Sequence, residues 1–323
     1  MENITDFTLS LEHLQFVGQD LARPECVLTQ PDGTLWVSDK RGTATIIHPN
    51  GTQTLVGQSG GEPNGLALDR DGHLYSANMT DGKIYKWHPQ DDQEQVVLDH
   101  LKGWPLGAAN FVFIDSQDRL WVSIFTREKP HYKSTVNPRP DGYLICIDQD
   151  GPNVVADGIL GANEVRLDAE EKYVYVAETM ACRIIRFPIL ADGTLGKREV
   201  YGPDTLGQGA FVDGFAFDSA GNLWVVTVTR NGLGVITPNG DYHIVFEDVQ
   251  EMAVDAVVSG VKNGTLTVDM SRACVGSTLQ FPSSIAFGGP DLKTAYLGSL
   301  GMSSIATFQA PIAGLPLRHW VGK

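Results

Sequence analysis

Residues 212–228 read VDGFAFDSAGNLWVVTV, and this stretch decides the fold. Apolar and polar residues alternate on both sides of an Asp/Gly/Asn-type turn, which is typical of a β-hairpin. The same pattern, with a small or polar start and a second run centred on Trp or Tyr, occurs five more times: PECVLTQPDGTLWVSDK at 24–40, PNGLALDRDGHLYSAN at 63–78, ANFVFIDSQDRLWVSIF at 109–125, ANEVRLDAEEKYVYVAET at 162–179 and PSSIAFGGPDLKTAYLGS at 282–299. The chain therefore repeats one hairpin six times.

The spacing of the repeats indicates how the hairpins are arranged. Their aromatic markers follow one another at 39, 46, 54, 49 and 72 residues: Trp36, Tyr75, Trp121, Tyr175, Trp224 and Tyr296. Four-stranded propeller blades repeat at about 40–50 residues, and a two-sheet sandwich has no reason to repeat one hairpin six times. We predict an all-β, six-bladed β-propeller with four-stranded blades, formed by residues 1–323 as a single domain.

Two stretches interrupt the repeats. Residues 127–140 form a Pro-rich, locally basic insertion after the second strand of the third unit. Residues 249–261 have apolar residues at helical spacing, which predicts a short helix before the last blade.

Composition excludes several classes of partner. The 323 residues include 24 Lys and Arg against 39 Asp and Glu, a net charge of −15, so nucleic acid and anionic membranes are not expected as partners. No apolar stretch reaches the ~18 residues of a membrane helix. The four cysteines are scattered and the N-terminus does not resemble a secretory signal, so we expect reduced thiols in a cytoplasmic protein. We expect a monomer or a small homo-oligomer.

The starts of the six repeats carry a set of polar residues. Because the first strand of each blade lines the central channel, residues at the same place on these strands form a ring: Glu25, Asn64, Asn110, Asn163, Asp213 and Ser283. Two carboxylates at close quarters repel each other unless a positive charge lies between them. All-oxygen ligands favour Ca²⁺ or Mg²⁺ and do not exclude Zn²⁺, Mn²⁺ or Fe²⁺. The alternative is that these residues only cap turns.

The start of the first repeat and two segments near the end of the chain resemble those of a known protein family. PECVLTQPDG, PDLKTAYLGSLG and AGLPLRHW are similar to segments of senescence marker protein (regucalcin), gluconolactonase and luciferin-regenerating enzyme. The resemblance covers nearly the whole chain. It implies a six-bladed propeller with one divalent metal at its axis and hydrolysis of sugar lactones. It implies Glu25, Asn163 and Asp213 as metal ligands, Asn110 as a ligand or substrate contact, and Asp213 as general base.

Two positions depart from the regucalcin pattern. Ala108 stands where regucalcin has an Arg that contacts the sugar, and Phe111 stands where it has an acidic residue. We therefore expect the substrate to be bound differently from regucalcin's sugar, which leaves room for a less polar lactone.

The predicted function is divalent-metal-dependent opening of a small lactone, such as an aldonolactone, by water. A cation, Ca²⁺ as first choice, held by Glu25, Asn110, Asn163 and Asp213 would polarise the carbonyl. Asp213 is the predicted base, and hydroxide on the metal is the alternative. Predicted substrate contacts are Asn64, Asn110, Arg127, His131 and Tyr132, the last three from the 127–140 insertion. Organophosphate hydrolysis and non-catalytic metal or ligand binding are the alternative functions.

One further acidic motif is assigned to a turn. DRDG at 69–72 begins like an EF-hand loop, but the twelfth position is Thr80 where such a loop needs Glu.

Overall fold

The strands form six four-stranded antiparallel sheets. A computed structural model describes residues 4–91 and 93–321. In five of the sheets the four strands lie side by side in chain order. Blades 1 to 3 consist of Val27–Thr29, Leu35–Ser38, Ala44–Ile47 and Gln53–Val56; Pro63–Leu68, Leu74–Asn78, Ile84–Trp87 and Gln95–Leu98; and Ala109–Ile114, Leu120–Ile124, Gly142–Asp148 and Gly151–Ile159. Blades 4 and 5 consist of Ala162–Leu167, Tyr173–Glu178, Arg183–Pro188 and Glu199–Tyr201; and Val212–Phe217, Leu223–Thr227, Gly232–Ile236 and Tyr242–Glu247.

Blade 6 combines strands from both ends of the chain. Its first three strands are Pro282–Gly288, Thr294–Ser299 and Ile305–Gln309, and its outer strand is Gln15–Val17. Phe16 pairs with Ala306 in the antiparallel ladder between the two outermost strands. The first strands of successive blades contact one another, and those of blades 1 and 6 also touch. The ring is therefore closed, and the prediction of a six-bladed β-propeller with four-stranded blades is confirmed.

The recurring hairpin signature has a structural basis in its turn. Asp115 accepts hydrogen bonds from the backbone N–H groups of Gln117 (2.9 Å) and Arg119 (3.0 Å) and from the Trp121 indole (2.8 Å). Asp218 holds the turn of blade 5 in the same way and accepts a hydrogen bond from the Trp224 indole at 3.0 Å. One carboxylate thus fixes the turn and orients the aromatic ring six residues later. Trp121 and Trp224 are fully buried.

Helices occur mainly in the insertions. The first insertion contains α1 (Lys133–Val136), and α2 (Glu251–Asn263) and α3 (Val268–Arg272) lie between blades 5 and 6. The helix predicted over 249–261 is confirmed as α2, shifted by two residues. Short 3₁₀ helices span Ile4–Asp6, Leu11–His13, Thr179–Ala181 and Arg318–Trp320, and a minor two-stranded hairpin pairs His100–Leu101 with Trp104–Pro105. Within residues 4–91 and 93–321, no helix is long and apolar enough to cross a membrane.

Candidate metal and substrate site

β-Bulges set the ring of polar residues at the starts of the inner strands. In blades 2 to 6 the register shifts right after the first residue of the inner strand, for example between Val212 and Phe215 and between Ala109 and Phe111. A bulge re-aims the side chain that it contains. The residues inside these bulges include Asn64, Asn110, Asn163, Asp213 and Ser283. All five are buried, so the structure brings the predicted ring together by one repeated backbone irregularity.

Blade 1 places Glu25 just before its inner strand. The Glu25 carbonyl accepts hydrogen bonds from the Ser283 hydroxyl (2.8 Å) and the Ser284 hydroxyl (2.7 Å) of blade 6. Ser283 therefore holds the backbone of Glu25, and its own hydroxyl proton is used in doing so.

Asn64 holds the Glu25 side chain in place. Its amide group donates to Glu25 Oε1 and to the Asn110 carbonyl, both at 3.1 Å, and its Oδ1 accepts from Arg23 at 2.8 Å. Both amide hydrogens are thus engaged. Asn64 lines the cavity described below, and its contact with a substrate stays a prediction.

Two buried acceptor atoms of the ring have no hydrogen-bond partner: Glu25 Oε2 and Asn110 Oδ1. The Asn110 amide nitrogen faces Met79 Sδ at 3.6 Å, so its oxygen is the atom left over. Buried polar atoms of native proteins are nearly always satisfied. A carboxylate oxygen and a carboxamide oxygen without donors are what a hard divalent cation requires. The donor set of the ring therefore fits such a cation.

The electrostatics of the ring agree with this fit. Burial and the charge of Asp213 raise the pKa of Glu25 well above its usual value. Burial raises the pKa of Asp213 to about 7, although a hydrogen bond from Asn163 and the nearby Arg23 lower it. Each carboxylate is thus short of compensating positive charge, which a bound cation would supply.

A second charged pair lies next to the ring. Glu164 and Arg166 form a buried salt bridge, and Arg166 Nε also donates to the Phe215 carbonyl at 2.6 Å. Gly214 leaves room for this pair, since a Cβ there would lie 2.4 Å from Glu164 Oε2. Glu164 does not line the cavity described below.

Arg23 belongs to the site and was missed by the sequence analysis. Its backbone is left-handed, with φ of 58°, and its side chain reaches blade 2, where it contacts Asn64 and the Pro63 carbonyl. It lines the cavity and lowers the pKa of both Glu25 and Asp213. A positive charge therefore lies beside the two carboxylates.

A cavity of about 360 Å³ opens onto the ring. Five of its lining residues come from the same place in their blades, directly after the second strand and four residues after the aromatic marker: Met79, Phe125, Thr179, Val228 and Leu300. Strand two is antiparallel to strand one, so these positions share the rim of the ring. Their fixed distance from the marker is a sequence signal that could have identified them.

Of the three residues predicted from the 127–140 insertion as substrate contacts, the structure places one at the cavity. His131 lines the cavity, with its Nε2 3.6 Å from Glu62 Oε2. Arg127 and Tyr132 do not line it. Arg127 pairs at 2.8 Å with Asp157, which lies on the outermost strand of blade 3, and Tyr132 is 59% exposed.

A separate cluster of possible metal ligands contains Asp69, Asp71 and His73. These residues form the turn of the blade 2 hairpin, where Asp69 Oδ1 accepts from the backbone N–H groups of the other two at 2.9 Å. Its other oxygen lies 2.9 Å from His73 Nδ1. The cluster matches the turn predicted for DRDG.

Comparison with known proteins identifies the family. The family described as "SMP-30/Gluconolactonase/LRE-like region" matches residues 24–269. The chain belongs to this family. Among curated relatives, a 6-deoxy-6-sulfogluconolactonase from Pseudomonas putida is 24% identical over 200 residues, which are 60% of this chain and 56% of the relative. The match thus spans little more than half of that protein's length.

Solved structures of this family share the fold. A gluconolactonase from Xanthomonas campestris superposes with a TM-score of 0.70 at 17% identity, over 92% of this chain and 89% of the other. A calcium-binding regucalcin from Agrobacterium tumefaciens superposes with a TM-score of 0.68 at 15% identity, over 95% and 98%. At such identities the likeness concerns the fold alone.

Proposed function

We propose that this family member is a divalent-metal-dependent lactonase, which opens a cyclic ester by adding water. The observation that carries the proposal is the buried ring with two unpartnered acceptor oxygens, Glu25 Oε2 and Asn110 Oδ1, beside a cavity of about 360 Å³. The curated relative from Pseudomonas putida is named as a lactonase, which supports the reaction class.

Four side chains would hold the metal: Glu25, Asn110, Asn163 and Asp213. When bound, a divalent cation would polarise the ester carbonyl and stabilise the negative charge that develops on its oxygen. Ca²⁺ is the proposed ion because all four side chains present oxygen, and four such ligands leave room for water or substrate.

The chain's own residues account for the remaining steps. Arg23 lines the same cavity and carries a positive charge beside the two carboxylates, where it would stabilise the negative charge that develops on the substrate. Asp213, the proposed base, accepts a proton from the water that attacks the carbonyl carbon. The ring C–O bond then breaks, and the departing alkoxide takes that proton, so lactone and water yield one hydroxy acid.

A reducing compartment, the cytoplasm, is part of the proposal. The support is that all four cysteines, Cys26, Cys146, Cys182 and Cys274, are unpaired in the structure. Disulfides are rare where glutathione and thioredoxin keep thiols reduced.

The test is turnover of δ-valerolactone by the purified protein with added Ca²⁺, with and without a chelator, in wild type and E25Q. E25Q keeps the size of the side chain and removes its charge, so we expect kcat/KM to fall by at least about a hundredfold and chelation to abolish wild-type turnover. The matched control is D71N, which removes one carboxylate from the blade 2 turn and should retain wild-type activity.

Three results would contradict the proposal. Turnover that survives chelation excludes dependence on the metal, and turnover lost equally in D71N removes the special role of Glu25. Stoichiometric metal binding with no hydrolysis of any lactone would instead favour a binding propeller.

A further inference from the structure

The side of the cavity opposite the ring is built by the two insertions. We call residues 127–140 and 249–281 the cap. From α2 and the α2–α3 connection the cap presents Val257, Val261 and Leu266 to the cavity, and Phe281 follows α3. Together with the apolar residues after the second strands, the cap makes the wall beyond the ring predominantly apolar.

The hydroxyl groups in this wall are already engaged. Thr179 Oγ1 donates to the Val212 carbonyl at 2.6 Å, and Thr135 Oγ1 donates to the Tyr132 carbonyl at 2.8 Å. Thr229 donates to the Gly209 carbonyl, and Ser271 donates to the Thr267 carbonyl at 3.3 Å. Each spends its only proton on the backbone, so His131 is the one remaining side-chain donor among the described lining residues of the cap.

The helical part of the cap is fixed in position by buried polar contacts. Asp248 accepts from the backbone N–H groups of Thr278 (2.6 Å) and Leu279 (2.8 Å), just after α3. Asn231 donates to the carbonyls of Asp248 (3.2 Å) and Cys274 (2.6 Å). Both ends of the α2–α3 segment are thus tied to blade 5. The apolar wall is preorganised, so binding does not have to order it.

A polyhydroxylated sugar lactone does not match this wall. Its ring hydroxyls would leave water for a surface that offers few donors, and buried polar groups without partners oppose binding. An alkyl or aryl group matches it, because apolar pockets with a few polar groups at one end bind amphipathic small molecules. We propose that the substrate is a lactone with an aliphatic or aromatic substituent, its ester at the ring and its substituent against Val261 and Leu266. This inference rests on the proposed lactonase function.

Three δ-lactones with the same six-membered ring separate the inference from the function. They are δ-valerolactone (unsubstituted), δ-nonalactone (a butyl substituent) and glucono-δ-lactone (polyhydroxylated), assayed on the Ca²⁺-loaded protein above the spontaneous rate. We expect kcat/KM for δ-nonalactone to exceed that of both others by at least about tenfold, since a single methylene in an apolar pocket changes it by about 10–200-fold. A kcat/KM for glucono-δ-lactone that equals or exceeds the kcat/KM for δ-nonalactone overturns the inference. It leaves the proposed lactonase function in place.

Binding of inert analogues decides the inference even if no lactone is hydrolysed. The probes are 6-butylpiperidin-2-one and piperidin-2-one, lactams that resist hydrolysis, titrated calorimetrically into the same protein. We expect the butyl lactam to bind at least about tenfold more tightly. Equal affinities overturn the inference, whereas absence of turnover with all three lactones overturns the proposed function.

Cap variants locate the substituent. L266S and V261S each add a polar group to the cap wall, and V268S makes the same kind of change on α3 where the side chain is 65% exposed and does not line the cavity. We expect the affinity ratio of the two lactams to fall about tenfold in L266S and V261S and to stay at the wild-type value in V268S. Melting followed by circular dichroism identifies any variant that fails to fold. An unchanged ratio in the folded cap variants, or an equal fall in V268S, contradicts the placement.

Discussion

At the scale of single residues, the site holds more negative than positive charge. Glu25 and Asp213 are buried side by side with raised pKa values, and Arg23 is the cation that approaches both. The guanidinium partly compensates the carboxylates before any metal binds, and it must repel a divalent ion that does. Under the proposed function, Arg23 would lower the metal affinity and supply a positive charge beside the substrate.

R23Q tests this role. A nearby positive charge opposes the binding of a divalent cation, and each ~1.4 kcal/mol of that repulsion corresponds to about a tenfold change in affinity. Removing it should tighten Ca²⁺ binding by roughly tenfold while lowering kcat, measured by calorimetric titration and lactone turnover. R139Q, an exposed position of the cap, is the matched control and should change neither. Weaker or unchanged Ca²⁺ affinity in R23Q would refute the electrostatic account.

The sequence predicted the ring residues but not all the side chains that contact them. Alignment of the repeats placed Glu25, Asn110, Asn163 and Asp213 at one rim, and the structure brings them together. Arg23 was missed because its side chain reaches Asn64 from a left-handed backbone conformation that the spacing does not indicate. The engagement of both Asn64 amide hydrogens likewise depends on contacts between blades, which no local pattern encodes.

At the scale of elements, the bulged inner strand and the cap define the site. In blades 2 to 6 the bulge turns one side chain into the ring, and the α2–α3 segment lines the cavity next to it. The apolar spacing over 249–261 predicted a helix, but periodicity shows only that one face is buried and not what it packs against. The anchoring of that helix by Asp248 and Asn231 became visible only in the structure.

D248N should loosen the cap. The NH₂ group of the new Asn would face backbone N–H groups that now donate hydrogen bonds to the Asp248 carboxylate. Each buried hydrogen bond lost in this way costs about 1–3 kcal/mol. We expect hydrogen exchange in residues 251–272 to accelerate about tenfold or more. D269N, on the exposed surface of α3, is the control. Equal exchange in D248N and wild type would contradict the anchor.

The same anchor should weaken in acid. Burial opposes the charge of Asp248, but the hydrogen bonds from Leu279, Thr278 and Ser277 outweigh it and hold its pKa below the usual value. A depressed pKa gives stability that is present above the unfolded pKa of about 3.9 and is lost as the pH falls through the folded value. Cap exchange in wild type, corrected for intrinsic rates, should therefore rise below pH ~4.

At the scale of the whole molecule, blade 6 closes the ring with strands from distant parts of the chain. Gln15–Val17 adds to Ile305–Gln309 through three paired residues. The six repeats predicted the number of blades, but a three-residue strand is too short to carry a periodic pattern, so this closure could not be read from the sequence. The strand holds the first and last blades together.

A disulfide across the closure should stabilise the protein. F16C and A306C would join directly opposed residues of the two strands. Disulfides that close long loops typically contribute about 2–4 kcal/mol, so we expect the oxidised double variant to unfold at higher denaturant than the same protein reduced. The reduced form is the matched control, since both share the lost Phe16 packing. Coincident unfolding curves would show that ring closure does not limit stability.

The most direct measurement is the location of the metal. Crystals grown with Mn²⁺, which scatters anomalously and takes oxygen ligands, should show one anomalous peak bounded by Glu25, Asn110, Asn163 and Asp213, and no peak there in crystals of E25Q. Two results from wild-type crystals would contradict the assignment of this ring as the metal centre. One is a single anomalous peak at Asp69, Asp71 and His73. The other is a ring that holds no metal and is filled by the Arg23 side chain.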